Sequence, residues 1–157
     1  MNRIDINKNA PAVASRETFV HAPVEVVWDV LSGLERWPQW NASITDMDLQ
    51  GRVTEGTEFM WEAEGVKIRS QLKEVSAPNR IAWSGIAMEI MGGVSGVHVC
   101  ELDPDKHGTK VRTEESLEGV VVSLFPGRMQ KMLDGVLAQA LSDLKKESER
   151  QQGSSQA

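Results

Sequence analysis

The fold of this chain is decided by residues 129–144, which read MQKMLDGVLAQALSDL. Apolar residues recur there at spacings of three and four, at Met129, Met132, Leu133, Val136, Leu137, Ala140, Leu141 and Leu144. This spacing predicts an amphipathic α-helix with one wide apolar face. The helix is expected to begin near Pro126 and to run to about Arg150, which gives it a length of roughly 36 Å. A face this long has to be buried against something large.

Upstream of the helix, the spacing of apolar residues shifts towards two, which is typical of β-strands. Six consecutive strands are predicted at Ile44–Gln50, Thr57–Ala63, Lys67–Val75, Arg80–Ile86, Val94–Asp103 and Lys110–Leu117. The connections between them are short and rich in turn-forming residues, so neighbouring strands are expected to pair antiparallel. A sheet of this size is the partner that the long helix needs.

The N-terminal part of the chain predicts one more strand, Ser15–His21, followed by two short helices. Pro23 suits the start of the first helix, because proline lacks the N–H group that would be unpaired there. Apolar residues follow at helical spacing, and Gly33 is expected to end this helix. The segment Leu34–Asn41 (LERWPQWN) predicts a second, aromatic helical segment, which Pro38 keeps short.

Together these elements predict a single α+β domain over residues 15–150, in which a seven-stranded antiparallel sheet curves around the C-terminal helix. Residues 1–14 and 151–157 are expected to be a flexible leader and a flexible tail. Exposed edge strands of such a sheet permit pairing between copies, so both a monomer and a homodimer are compatible with the sequence.

Composition and charge exclude several classes of protein. The net charge of −6 opposes general nucleic-acid binding, which uses a basic surface. No uncharged stretch reaches the roughly 20 apolar residues that a membrane span needs. The polar first residues do not resemble a signal peptide, so a cytoplasmic location is expected. The three histidines and the single cysteine lie in no metal-binding motif, so neither a metal nor another cofactor is expected.

Two segments, residues 19–31 and 34–41, resemble the opening of the START-like (SRPBCC) superfamily. More narrowly, these two segments resemble the polyketide cyclase/dehydrase and lipid-transport family, and residues 80–85 (RIAWSG), residues 109–115 (TKVRTEE) and the terminal helix also match it. The resemblance implies a helix-grip fold, in which the curved sheet wraps around the long helix. It also implies that a hydrophobic small molecule is bound or transformed between these two layers. The family has no universal catalytic motif, so candidate site residues come from side-chain direction alone.

Alternation along the strands predicts which side chains face the helix. The residues expected to bind a ligand there are mainly apolar with a few polar groups, and comprise Trp37, Trp40, Phe59, Trp61, Ser70, Trp83, His98, Cys100, Thr113, Met129, Met132, Leu133 and Val136. An apolar pocket with a few converging polar groups is the usual form of a small-molecule site. The competing interpretation is ordinary core: methionine fills gaps, Cys100 acts as a small buried hydrophobe, and Trp37 and Trp40 cap the core instead of lining an entrance.

His98 and Glu115 are the candidates for acid–base chemistry. They lie on the inner faces of two strands of one hairpin, so we expect them within one pleat repeat of each other and of Thr113. A histidine that titrates near neutrality, beside an inward carboxyl group, could move a proton next to a carbonyl. In the alternative interpretation, His98 only donates to a backbone carbonyl and Glu115 reaches solvent at the end of the sheet.

Three functions remain open on the sequence alone. The first is binding of a hydrophobic small molecule, which is lipid-, polyketide- or aromatic-like, in a cavity between sheet and helix. The second is a polyketide cyclase or dehydratase that uses His98 and Glu115 in the same cavity. The complete absence of tyrosine removes a proton donor that such mechanisms often use. The third is a protein–protein interaction module whose core is filled by its own side chains, and exposure of Trp28, Trp37 and Trp40 at the surface would favour it.

Overall fold

In the computed structural model, which describes residues 3–89 and 92–155, the chain forms a seven-stranded antiparallel sheet with four α-helices. The strands are β1 Ala12–Val20, β2 Ile44–Leu49, β3 Glu58–Ala63, β4 Val66–Ser76, β5 Arg80–Ala87, β6 Val94–Asp105 and β7 Gly108–Glu118. The helices are α1 Val24–Ser32, α2 Trp37–Trp40, α3 Val120–Leu124 and α4 Pro126–Ser155, and a 3-10 turn spans Leu34–Arg36. The predicted helix-grip architecture is confirmed.

The sheet is a six-stranded meander to which the first strand of the chain adds a seventh, at one edge. Strands β2 to β7 pair in chain order, and β1 pairs with β7, from Ala12 opposite Leu117 to Val20 opposite Thr109. Helix α4 lies on the inner face of the sheet, where it contacts β1, β7 and α1. Within the described residues, no helix combines the length and the apolar character that a membrane crossing requires.

Strand β1 begins at Ala12 and not at the expected Ser15. Ala12 and Ala14 are small enough to be buried in a cluster with Leu133 and Leu137 of α4 while they continue the ladder with β7. At the other end of the chain, α4 continues past the expected end near residue 150. Side-chain hydrogen bonds three and four residues apart, such as those accepted by the Glu147 carboxylate, support these last turns.

The segment before β1 packs on the outer face of the sheet through Ile4 and Ile6. Ile6 is buried there in a cluster with Ala82 and Val99, two outward-facing residues of β5 and β6. The prediction of a flexible leader over residues 1–14 did not anticipate these contacts. The reason is that the central strands carry apolar side chains on both faces, so the outer face also needs a cover.

An ion pair on the outer face lies beneath this N-terminal segment. Arg80 and Glu74 are each about 6% exposed and form a direct salt bridge. The guanidinium of Arg80 also donates to the backbone oxygen of Ile4 (2.6 Å) and to the carboxylate of Asp5 (2.8 Å). The backbone N–H of Ile4 in turn donates to Glu74 (3.1 Å). The N-terminal segment therefore covers the ion pair and is attached to it by hydrogen bonds.

The inner face carries two separate hydrophobic clusters, both of which include residues of α4. The first is centred on α1 and the aromatic residues near it, and takes Leu141 and Leu144 from α4. The second contains residues of β1, β6, β7 and α3, and takes Leu133 and Leu137 from α4. One helix thus connects both parts of the interior.

Helix α3 was not expected from the sequence, where its residues belong to an uncharged stretch without strand or helix periodicity. The chain enters it through Gly119, whose φ of 131° is unfavourable for any residue with a side chain. A Cβ atom there would also collide with the backbone oxygen of Gly93. The glycine therefore allows the chain to turn sharply from β7 into α3.

Candidate functional site

A cavity of about 400 Å³ lies between the inner face of the sheet and α4. Its volume is within the range of roughly 300–1,000 Å³ that small-molecule sites occupy. Side chains of α2, α3, α4 and the strands β2 to β7 form a mainly apolar wall. The arrangement therefore suits a molecule with an apolar body.

Two facing glycines make room for this cavity. Gly85 of β5 and Gly96 of β6 are register partners, and both line the wall. A Cβ atom at Gly85 would lie 2.7 Å from the Ser70 hydroxyl, and one at Gly96 would lie 2.9 Å from a methyl group of Leu117. Side chains at these positions would take up the space between the two layers. The sequence prediction missed this pair, although glycine inside a strand is a known sign of a close approach.

Almost all residues predicted to bind a ligand lie at the cavity wall. The structure brings together there Trp37, Trp40, Trp61, Ser70, Trp83, His98, Cys100, Thr113, Met129, Met132, Leu133 and Val136. Phe59 is the exception: it is fully buried, and its ring packs against Trp37 and Trp61. The prediction missed other lining residues, including Asn41, Met88, Val121 and Ala140. The first three of these lie in loops or in α3, where no periodicity indicates their direction.

The polar part of the wall is a cluster on the β6–β7 hairpin. His98 and Glu115 are register partners, and Nδ1 of His98 lies 3.6 Å from Oε2 of Glu115. Nε2 of His98 lies 2.6 Å from the Thr113 hydroxyl and 3.4 Å from the Cys100 sulfur. The indole of Trp83 stacks on the imidazole with the ring centroids 4.3 Å apart. Both ring nitrogens of His98 are therefore engaged by side chains, and neither needs a backbone carbonyl.

The imidazole of His98 is held in its protonated form. Burial by itself lowers the pKa of His98, but the sulfur of Cys100 and the carboxylate of Glu115 outweigh burial and raise this pKa from 6.5 to about 10. The expectation that His98 titrates near neutrality is therefore corrected. At neutral pH the ring has two N–H donors and is placed to give a proton to a bound molecule.

The indole N–H groups at the wall are not all satisfied. Nε1 of Trp61 donates to the Ser70 hydroxyl (3.0 Å), and Nε1 of Trp37 donates to the backbone oxygen of Leu31 (2.9 Å). Nε1 of Trp40 is buried and has no hydrogen-bond partner among the described residues. A buried donor without a partner costs free energy, and an oxygen atom on a bound molecule would satisfy it.

The described part of the chain offers no metal site. No group of three or more His, Cys, Asp or Glu side chains in residues 3–89 and 92–155 is arranged to hold an ion. His98, Cys100 and Glu115 share one wall, but the sulfur and the carboxylate approach opposite nitrogens of the imidazole. Their donor atoms consequently do not converge on one point.

Comparison with known sequences gives a match over most of the chain. The sequence model of the family described as "Polyketide cyclase / dehydrase and lipid transport" matches residues 11–149. No curated protein matches the chain significantly. The family match includes β1, the whole sheet and most of α4, so it covers all the elements that form the cavity.

Solved structures of similar fold come from several sources. A hypothetical protein from Helicobacter pylori has a TM-score of 0.79 and 17% identity, over 94% of this chain and 97% of its own. A protein from Thermus thermophilus has a TM-score of 0.71 and 19% identity, over 87% of this chain and 96% of its own. The di-domain ARO/CYC StfQ of the steffimycin biosynthetic pathway has a TM-score of 0.74 and 15% identity, over 90% of this chain and 52% of StfQ. Likeness at these identities shows a shared fold alone.

Proposed function

The chain belongs to the polyketide cyclase/dehydrase and lipid transport family, and on this premise we propose that it binds a hydrophobic small molecule between the sheet and α4. The observation that carries the proposal is the cavity of about 400 Å³, whose wall is apolar except for a few hydrogen-bonding groups. A lipid-, polyketide- or aromatic-like molecule has the matching chemistry, because it combines an apolar body with a small number of oxygen atoms.

Two observations argue against the alternative of a protein–protein interaction module. It required an interior filled by the protein's own side chains, whereas the cavity leaves room for a ligand. It also relied on exposed tryptophans. Trp37 is buried, and Trp28 and Trp40 pack partly buried against the core.

Filling the cavity is expected to weaken binding without disturbing the fold. Ala140 lines the cavity from α4, so Ala140→Phe places a phenyl ring in the space that a ligand would occupy. We expect this variant to weaken the affinity for the apolar fluorescent probe N-phenyl-1-naphthylamine by at least about tenfold. The affinity is measured by titrating the probe and following its fluorescence.

Ala138→Phe is the matched control, because Ala138 lies on the exposed side of the same helix. It should leave the probe affinity unchanged. Equal weakening by both variants, or no saturable binding by the unaltered protein, would contradict a binding role for the cavity. Native mass spectrometry of the purified protein provides a second measurement, because a retained ligand appears as an added mass.

A second candidate function is a cyclase or dehydratase that works in the same cavity. The observation that favours it is the cluster of His98, Thr113 and Glu115 at an otherwise apolar wall. The protonated imidazole of His98 would donate to a carbonyl or to a departing hydroxyl group, while the carboxylate of Glu115 would accept a proton from the neighbouring carbon. In this scheme His98 is the acid and Glu115 is the base.

Dehydration of 4-hydroxy-4-phenylbutan-2-one to its conjugated enone tests this candidate, because the product is followed by its absorbance. If the protein catalyses this reaction, Glu115→Gln and His98→Ala should each reduce the rate by about 100-fold or more. Glu114→Gln is the control, because Glu114 lies on the opposite face of β7 from Glu115. Unchanged rates in the two site variants would contradict the assignment of His98 as the acid and Glu115 as the base.

A further inference from the structure

Cys100 completes a nucleophile–imidazole–carboxylate series at the cavity wall. Its sulfur lies 3.4 Å from Nε2 of His98, whose Nδ1 faces Glu115 at 3.6 Å. This order is the general arrangement of an activated nucleophile, in which a base is next to the nucleophile and a third group orients the base. We propose that Cys100 is a nucleophile that reacts covalently with an electrophilic apolar molecule in the cavity.

The inference rests on the proposed function, because the molecule must enter the cavity before it meets the sulfur. Cys100 itself lines that cavity and is a free thiol. The stacking of Trp83 on His98, at an interplanar angle of 10°, fixes the orientation of the imidazole beside the sulfur. The nucleophile and its partner are therefore held in place before any ligand arrives.

The electrostatics of the cluster agree with this geometry. Burial lowers the pKa of His98, and the sulfur of Cys100 and the carboxylate of Glu115 raise it by more. The imidazole is consequently protonated and has an N–H group at Nε2, next to the sulfur. The Thr113 hydroxyl lies 3.4 Å from the sulfur and 2.6 Å from Nε2, so it bridges the two groups.

The chemical class that fits is an α,β-unsaturated ketone with an apolar body. The sulfur of Cys100 attacks the β-carbon, and the electron pair of the C=C π bond moves to form an enolate. The N–H at Nε2 of His98 then gives its proton to the α-carbon, and Nε2 takes up the proton of the thiol, so the protonation of the imidazole is unchanged at the end. The S–H and C=C π bonds are lost, C–S and C–H bonds form, and no oxidant or further reactant is needed. The unpartnered N–H of Trp40 lies at the same cavity and is a donor of the kind that a carbonyl oxygen requires.

The reaction is tested with 4-phenylbut-3-en-2-one, using intact mass spectrometry to follow adduct formation. The chain contains a single cysteine, so a thiol adduct can form only at Cys100. At neutral pH we expect the protein to react at least about tenfold faster than glutathione.

His98→Gln should slow adduct formation at neutral pH by about tenfold, because it removes the proton donor beside the sulfur. Glu115→Gln provides a second variant, which should slow the reaction less if Glu115 only orients the ring. His107→Gln is the matched control, because His107 is exposed in the turn of the same hairpin. A rate that is the same in His98→Gln, or a rate no faster than that of glutathione, would show that Cys100 is an ordinary buried thiol.

Binding of the saturated ketone 4-phenylbutan-2-one separates this inference from the proposed function. It has the same apolar body but no reactive double bond, and its binding is followed by quenching of the tryptophan fluorescence. If the saturated ketone binds and the enone forms no fast adduct, the covalent role of Cys100 is wrong and the binding role stands. If neither the saturated ketone nor N-phenyl-1-naphthylamine binds, the proposed binding function is itself wrong.

Discussion

Replacing Arg80 with methionine is expected to lower the free energy of unfolding by about 3–5 kcal/mol, because it leaves the buried carboxylate of Glu74 without its counter-charge. Both side chains of this ion pair are about 7% exposed. The substitution also removes the hydrogen bonds from Arg80 to Ile4 and Asp5, which attach the N-terminal segment to the sheet. Urea unfolding followed by circular dichroism measures the loss, and the midpoint temperature should fall by roughly 10 °C.

The double variant Arg80→Met with Glu74→Leu tests whether the unpaired charge on Glu74 causes this loss of stability. It removes both charges, and replacing a whole buried pair by apolar residues is often neutral, so we expect much of the lost stability to return. Arg150→Met is the surface control. Arg150 pairs with Glu147 but is 65% exposed, so its loss should change stability by less than about 1 kcal/mol. A double variant as unstable as the Arg80→Met single variant would show that the charge left on Glu74 is not the cause.

Replacing Trp37 with alanine is expected to cost about 3–5 kcal/mol of folding stability, which is typical of removing a large buried aromatic side chain. The ring of Trp37 is 3% exposed and contacts the rings of Phe59, Trp61 and Trp83. Its loss also leaves the backbone oxygen of Leu31 without the indole donor. Thermal and urea unfolding measure this effect directly.

Trp40→Ala is the comparison, because Trp40 also lines the cavity but is only partly buried. Its Nε1 has no hydrogen-bond partner in the described part of the chain, so the variant loses no internal hydrogen bond there. We expect less than half of the destabilisation seen for Trp37→Ala, together with weaker binding of the apolar probe. Equal destabilisation by the two variants would mean that both tryptophans cap the core and that neither borders an entrance.

Periodic features of the sequence account for most of what could be predicted. The spacing of three and four in α4 fixes its apolar face, and the spacing of two in β6 and β7 fixes the direction of His98, Thr113 and Glu115. The pairing register of β6 and β7 was also predictable, because the connection between these two strands is a short turn. These positions follow from local geometry, so they do not depend on the rest of the fold.

Strand β4 shows where periodicity fails. A strict alternation places Glu74 on the inner face with Leu72, but a bulge between these two residues shifts the register. Glu74 therefore points to the outer face and meets Arg80. Neither the bulge nor the N-terminal segment that covers this ion pair has a periodic signature in the sequence.

The extent of the cavity could not be predicted from the spacing of apolar residues in the sequence either. Phe59 and Trp61 share one face of β3, yet Phe59 is sealed in the core while Trp61 borders the cavity. Alternation gives the direction of a side chain but not the distance that separates it from the opposite layer. That distance depends on packing across the whole interior and on the missing side chains at Gly85 and Gly96.

The division of the interior into two hydrophobic clusters has a consequence for local unfolding and amide hydrogen exchange in this protein. Leu133 and Leu137 belong to one cluster and Leu141 and Leu144 to the other, and all four also border the cavity. In the empty protein, the two clusters are linked through the backbone of α4 and the sheet, so the two halves of the helix can exchange their amide hydrogens at separate rates. A bound molecule would contact both clusters. It would turn two neighbouring cooperative units into one, and the amides of α4 would then exchange together.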